Sequence, residues 1–247
     1  MSALIEAIWR YPIKSHGRER LTHTELEAGS GIPWDRAWAV AHEKSRASNN
    51  AWAPCGNFGR VADVPKLAQI TAILDAARAE ITLRHPDRPD ITVQPDQAGQ
   101  ALVDWVTPLT PPGQPKPARI IRVSGRGMTD SPFPSISLCN LASHRAVEDR
   151  VGHALSVHRW RGNIWFDGLS AWAEFDWIGR AIRVGGARCV VREAAARCPT
   201  IMANPETGNR DVDMLGALAH WGHSDFSVLA EVVESGPVAQ GDVLELL

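Results

Sequence analysis

Apolar and polar positions alternate along this chain in short stretches, the pattern of half-buried strands rather than long helices. Leu4-Ile5-Glu6-Ala7-Ile8-Trp9-Arg10 is the first such run. It stops at Tyr11-Pro12-Ile13-Lys14-Ser15-His16-Gly17, where proline ends a ladder and glycine permits a turn. Lys14 and Ser15 therefore fall on a strand-to-loop corner. Residues 21–28 alternate again, and residues 34–40, Trp-Asp-Arg-Ala-Trp-Ala-Val, read as another strand. Residues 45–65 are polar and irregular, and long for a plain connection. Residues 69–74 and 80–84 predict a hairpin through Asp75-Ala76-Ala77-Arg78, with a short strand at best at Thr92-Val93. Residues 98–106 predict a short helix. Residues 108–117 hold five prolines in ten, a loop or stiff linker. The boundary between a β-rich first domain (1–110) and a second (111–247) is placed there. Beyond it, residues 118–123 predict a strand and 137–150 a helix capped by Ser137. A strand pair follows at 181–184 and 188–193, then a helix at 211–221 and a strand at 226–233. Many short strands and few helices predict an α+β protein, mostly antiparallel β.

Composition narrows the class. The 247 residues can bury a sizeable core, as one large domain or two small ones. Hydrophobic content of 44% and charged content of 22% are ordinary for a globular chain. A net charge of −2 gives no reason to expect nucleic acid or an acidic membrane as partner. No apolar run approaches the roughly 18 residues that span a bilayer, and the first residues lack a basic, signal-like segment. The expectation is a cytoplasmic protein with no membrane partner. The four cysteines, Cys55, Cys139, Cys189 and Cys198, form no C-x-x-C pair, so zinc ribbons and thioredoxin chemistry find no support. A disulfide framework is not expected, and the clustered cysteines of an iron–sulfur site are missing. Ten tryptophans against one tyrosine is unusual, and suggests aromatic core or pocket wall.

The chemistry concentrates at Ala196-Arg197-Cys198-Pro199-Thr200. A cysteine between arginine and proline is held still, and Arg197 would favour its thiolate, the form that attacks or binds metal. The plainer alternative is a small buried hydrophobe. Context tilts the balance. Asn204-Pro205-Glu206-Thr207-Gly208 follows, then a predicted helix, Ser224-Asp225-Phe226-Ser227-Val228, and an ending with Gly236 and Gly241-Asp242. This arrangement resembles the MOSC domain, named for the C-terminal domain of molybdenum cofactor sulfurase. The family usually has glycine after the phenylalanine, where this chain has Ser227. It commonly has Arg-Pro-Asn, where this chain has Arg161-Gly162-Asn163. The segment 129–137 resembles the family's Asp/Ser/Pro stretch. The Tyr-Pro-x-Lys-Ser loop and Asp35-Arg36-x-Trp38 resemble the small β-rich domain that precedes many MOSC domains. The resemblance implies a distorted β-barrel MOSC domain packed against a smaller β-rich N-terminal domain.

It also implies a site. Cys198 would be the metal ligand and the centre of catalysis. Lys14, Ser15, Arg36, Asp130, Arg161, Asn163 and Asn204 would bind a pterin-dithiolene molybdenum cofactor. Such a cofactor presents a phosphate, a hydrogen-bonding pterin and a metal with an open position. Arginine forks and lysine charges suit phosphate, and soft thiolate suits a sulfur-coordinated metal. Taken alone, the same residues fit many phosphate ligands. Lys14 and Arg36 also read as solvated strand-end charges, Asp35 as a support for Arg36, and Asn163 as a turn residue. Arg161 also reads as a cation stacked among Trp160, Trp165 and Trp172. Asp130, Ser135 and Ser137 fit turns and caps equally. Cys189 reads as core, Cys55 as a surface thiol, and His220 and His223 as helix-end residues.

Two functions follow from the resemblance. One is an oxidoreductase similar to the amidoxime-reducing components, acting on small N-hydroxylated or related N–O and S–O compounds. No flavin, nicotinamide or iron–sulfur site is visible, so a separate electron-transfer protein is implied. No pyridoxal phosphate site is expected in these residues, since cofactor sulfurases carry that group on a separate aminotransferase-like domain. The other is a carrier of sulfur or cofactor that uses a persulfide on Cys198 without turnover of its own.

Overall fold

The computed structural model describes residues 2–123 and 125–247. Its strands, in chain order, are β1 (Ser2–Arg10), β2 (Ile13–Lys14), β3 (Glu19–Leu21), β4 (His23–Leu26), β5 (Trp38–His42), β6 (Thr71–Asp75), β7 (Glu80–His85) and β8 (Arg88–Val93). They continue with β9 (Pro117–Arg122), β10 (Ile136–Asn140), β11 (Ile164–Asp167), β12 (Ala181–Val184), β13 (Ala187–Ala196), β14 (Asp225–Glu234), β15 (Gly236–Ala239) and β16 (Val243–Leu246). The α-helices are short: α1 (Gly99–Val106), α2 (Leu141–Val151) and α3 (Met214–Ala219).

Seven strands close into a barrel in the order β1, β11, β10, β14, β13, β12, β16, with β16 returning to β1. Closure removes the free edges that an open sheet would expose. Neighbours run antiparallel except β10 and β11. Inward residues fill the interior, among them Ile5, Ile8, Leu138, Ile164, Phe166, Ile182 and Val228. Ile5 and Ile8 both point inward although three apart, because β1 carries a bulge between Ile5 and Ala7 that shifts its alternation. The chain's first strand thus completes a barrel built mainly from its second half. A second tie is β4, which pairs with β15.

β3 pairs with β1 outside the closed ring, and β9 joins the other strands of the first half in two three-stranded sheets, β2-β5-β9 and β6-β7-β8. They pack with α1 around Trp38, Val40, Ile81, Leu83, Leu102 and Trp105. Ala203, beyond the cysteine segment, belongs to the same cluster. The fold is α+β and mostly antiparallel β, a barrel with a smaller β-rich region against it.

Several element boundaries differ from the sequence reading. The helix expected over 137–150 begins only at Leu141. Ile136 and Leu138 are instead buried in β10, between β14 and β11. Its cap is Asn140, whose side chain accepts the Ala142 N–H at 2.9 Å, not Ser137. The strand expected over 34–40 starts at Trp38, because residues 33–36 turn. The helix expected over 211–221 is only α3, capped by Asp213, whose carboxylate accepts the Gly216 N–H at 2.9 Å. β8 reaches back to Arg88, over positions too polar to read as strand. Among the described residues no helix is long and apolar enough to cross a membrane.

Candidate functional site

Three corners of the chain are wired together beside the barrel. Tyr11 follows β1 and is buried. Its N–H donates to Asp35 Oδ1 at 2.8 Å, and its carbonyl accepts the Arg36 N–H at 2.7 Å. The Asp35 carboxylate also pairs with the Arg36 guanidinium. Arg36 Nη2 donates to the Arg161 carbonyl at 3.0 Å, and the Tyr11 hydroxyl to the Gly162 carbonyl at 3.2 Å. Asn163 fastens the same turn. Its amide donates to the Trp9 carbonyl at 3.2 Å, and its Oδ1 accepts from the Ser137 N–H and hydroxyl at 3.2 and 3.0 Å.

These corners hold unusual backbone. Ser15, Arg36 and Arg161 have φ of 64°, 53° and 52°, in the left-handed region that costs a non-glycine residue on the order of 1–3 kcal/mol. Such strain persists only where surrounding contacts over-determine it, and for the two arginines the bonds above do so.

The two departures from the family pattern have local explanations. A Cβ at Gly162 would lie 2.2 Å from Cys139 Sγ, so the buried sulfur occupies the space that a side chain would need. Ser227, where glycine is usual, has φ of 68°. Its hydroxyl accepts from Arg197 Nη2 at 2.7 Å, a contact glycine cannot make. Arg197 also donates to the carbonyls of Phe226 and Trp160, at 3.0 Å each from Nε and Nη1. The Trp160 and Phe226 rings stack with centroids 3.7 Å apart. The Arg197 guanidinium is thus a tie between the end of β13 and the start of β14, and burial pulls its pKa below the usual arginine value.

A pocket of about 370 Å³ opens where these pieces meet. It brings together Lys14, Ser15, Arg36, Asp130, Arg161, Asn163 and Cys198 from among the sequence candidates. Five basic side chains line it (Lys14, Arg36, Arg60, Arg161 and Arg197) against the acidic Asp130 and Glu193, so an anion is favoured. The hydroxyls of Thr129, Ser131, Ser135 and Ser137 form another part of the wall.

Lys14 is buried, with Nζ 2.8 Å from the Met128 carbonyl and 2.5 Å from Asp130 Oδ1. Burial lowers its pKa, and Asp130 only partly restores it. Burial opposes the charge of Asp130 too, but Lys14, Arg36 and Arg161 hold that carboxyl below the usual range. Burial also works against Arg36, yet the carboxylate of Asp35 leads the effects that leave its pKa raised. Arg161 is pushed down to about 10 by burial, with Tyr11 working the other way and the Arg36 charge adding to the fall. Its Nη2 is buried and has no hydrogen-bond partner among the described residues.

Cys198 is the exposed cysteine; it precedes the 3₁₀ turn Pro199–Met202 and donates to Thr200 Oγ1 at 3.2 Å. Cys139 and Cys189 are buried, and burial pushes each thiol up to about 12. Cys55 is half-exposed and lines the pocket with Arg60 Nη1 3.9 Å from its sulfur.

Asn204 does not line the pocket. Its amide donates to Asp211 at 2.7 Å and its oxygen accepts the Glu206 N–H at 2.8 Å. Asp211 in turn receives both bonds, 2.6 and 2.8 Å, from the buried Arg159. Gln69 Nε2 donates to the Glu206 carbonyl at 2.9 Å, so this loop clasps the N-terminal region. His223 packs edge-on against Trp172 and Phe175. Among the described residues no group of three or more His, Cys, Asp or Glu side chains could hold a metal ion.

Sequence reasoning missed Tyr11, Cys55, Arg60 and the Thr129–Ser131 hydroxyls as parts of this site. Tyr11 had a signal, being the chain's only tyrosine and sitting three residues before Lys14. Cys55 and Arg60 lie in the irregular stretch 45–65, whose only signal was its length for a plain connection.

A seven-stranded barrel completed by the first strand, with a cysteine loop facing a cationic corner, defines the class. Residues 2–107 match the model of the MOSC N-terminal beta barrel domain, and residues 128–245 that of the MOSC domain. The chain belongs to the MOSC family. Among solved structures it is similar to the YUAD protein from Bacillus subtilis, at 13% identity over 100% of this chain and 96% of that one, with a TM-score of 0.48. It is also similar to YiiM from Geobacillus stearothermophilus, at 21% identity over 45% of this chain and 53% of that one, with a TM-score of 0.37. No curated protein matches the chain.

Proposed function

We propose that the chain binds a pterin-dithiolene molybdenum cofactor in its cationic pocket and reduces small N-hydroxylated or related N–O and S–O compounds. One observation carries the reading: the exposed thiol of Cys198 shares a pocket with Lys14, Arg36 and Arg161, and Arg161 keeps a buried guanidinium nitrogen with no partner among the described residues. A buried charged donor left unsatisfied is costly, so this nitrogen calls for an anionic acceptor. A single soft thiolate calls for a metal whose other ligands come from the cofactor.

In this reading Arg36 and Arg161 take the cofactor phosphate through charge-assisted bonds, with Lys14 as a point charge and Ser15 as a hydroxyl donor. Cys198 supplies the thiolate. When bound, the cofactor supplies a two-electron reducing centre with an open position for the substrate oxygen. Asp130, held ionised by its cationic neighbours, orients the Lys14 ammonium rather than donating a proton. Electrons arrive from a separate electron-transfer protein.

The exposure of Cys198 also favours a second reading, a carrier with a persulfide on that sulfur. Cys198→Ser tests the first. Serine keeps the shape but offers a harder oxygen ligand, so reduction of an N-hydroxy compound with an artificial electron donor is lost while pterin is still released on denaturation. Cys189→Ser, inside the barrel, lowers stability and leaves turnover. Wild-type turnover by the Cys198 variant contradicts the ligand role.

A further inference from the structure

We propose that Tyr11 is a positioning residue that holds Arg36 and Arg161 together as one doubly charged anchor for a dianionic group such as a phosphate monoester. The inference rests on the anion-site reading above and adds the device that keeps such a site assembled. Two guanidiniums in one pocket wall repel each other, and the charge of Arg36 adds to the lowering of the Arg161 pKa. The Asp35 carboxylate paired with Arg36 offsets part of that repulsion, and a group touching both arginines would hold them together.

Tyr11 is placed to do so. The guanidinium carbons of Arg36 and Arg161 stand over its ring, 5.0 and 4.5 Å from the centroid. Both lie inside the roughly 6 Å at which a ring's negative face attracts a cation. The main chain of Tyr11 takes the Arg36 N–H at 2.7 Å, and its hydroxyl bonds the carbonyl of Gly162, the next residue after Arg161, at 3.2 Å. Arg36 closes the circuit by donating to the Arg161 carbonyl at 3.0 Å. Both arginines sit in left-handed backbone, a conformation that needs such outside support. Burial raises the pKa of the phenol well above the ordinary tyrosine value, so the ring stays neutral at working pH.

A contrast sharpens the assignment. Arg197 also lies over aromatic rings, 5.9 Å from Trp160 and 5.7 Å from Phe226. All three of its guanidinium nitrogens already donate to protein oxygens, using four of its five N–H groups. Of the two cations over Tyr11, Arg161 retains a buried nitrogen without a partner among the described residues.

Because Tyr11 is the only tyrosine, 3-fluorotyrosine labels the full chain at one ring and gives one ¹⁹F resonance. The cofactor-free protein is titrated with inorganic phosphate at pH 8, against chloride at matched ionic strength. The expected result is a saturable shift of that resonance with phosphate and not with chloride. Calorimetry then compares variants at position 11. Tyr11→Phe keeps the ring and binds phosphate within about two-fold of wild type, whereas Tyr11→Leu binds about tenfold more weakly. Should Tyr11→Leu not fold, phenylalanine against pentafluorophenylalanine makes the same comparison, since fluorination keeps the shape and reverses the charge of the ring face. Wild-type affinity in the leucine or pentafluoro variant overturns the role of Tyr11 and leaves the anion site standing. Equal losses in the phenylalanine and leucine variants assign the effect to the hydroxyl bond and overturn the role of the ring. No saturable phosphate binding by the wild type overturns the anion site and its anchor together.

Discussion

Replacing Gly162 by alanine is a sharp test of how the arginine corner is held. The new Cβ would lie 2.2 Å from Cys139 Sγ and 3.3 Å from Trp165 Nε1. Ordinary contacts between such atoms fall near about 3.5–4.0 Å, so the overlap with sulfur exceeds about 1 Å. Cys139 has little freedom to yield, being fully buried on β10 with strands on both sides. The 161–163 turn must move instead. Overpacking of this kind costs about 1–3 kcal/mol. The shift also strains the bonds from Arg36 to the Arg161 carbonyl and from Tyr11 to the Gly162 carbonyl, each worth about 1 kcal/mol. The expected destabilisation is about 3 kcal/mol, read by urea unfolding. The same substitution in a Cys139→Ala background meets no sulfur and should cost under about 1 kcal/mol. The coupling of roughly 2 kcal/mol is well outside the few tenths expected for independent sites. Equal costs in the two backgrounds would refute the claim that the Cys139 sulfur is what excludes a side chain at 162.

Three other predictions concern charge. Arg161→Lys keeps a cation but loses the fork; with a charge-assisted bond worth about 1.5–3 kcal/mol, cofactor retention should fall roughly tenfold or more, and unchanged molybdenum occupancy would leave Arg161 a stacking role over Tyr11 alone. Burial pushes the Arg161 pKa down to about 10, so phosphate affinity should fall as pH rises through about 10, checked by calorimetry across that range. His16 is fully buried and its pKa is lowered by burial from 6.5 to about 4, so the unfolded chain binds the extra proton between those values. Its stability contribution is complete above pH 6.5 and is lost as pH falls toward 4, by about 3 kcal/mol in all; His16→Asn should flatten that part of the urea-midpoint profile, and an unchanged slope would show that other groups set it.

The parts of this fold that were legible lie where local pattern and final environment agree. β1, the β6–β7 hairpin and α1 have apolar periods that their own packing uses. β10 was not legible because Ile136 and Leu138 suit a helix or a strand, and barrel closure decides between them. The turn at Asp35-Arg36 was hidden for a similar reason. Its left-handed arginine is held by Tyr11, which no local pattern connects to it. Lys14, Arg36, Arg161 and Cys198 stood out through the resemblance to the MOSC family, since local pattern alone leaves Lys14 and Arg36 as solvated strand-end charges. Asn204 came in with the same resemblance at a lower rank, and its amide serves the Asp211–Arg159 tie behind the cysteine loop. Motif membership pointed to the loop and could not say which of its side chains face the pocket.

The central claim is that the pocket formed by Lys14, Arg36, Arg161 and Cys198 holds a molybdenum cofactor. The most direct measurement is elemental and pterin analysis of the full chain purified from a host that makes this cofactor. The account predicts about one molybdenum and one released pterin per chain. Protein without either, and carrying cyanide-labile sulfur on Cys198 instead, would contradict it and leave the carrier in its place.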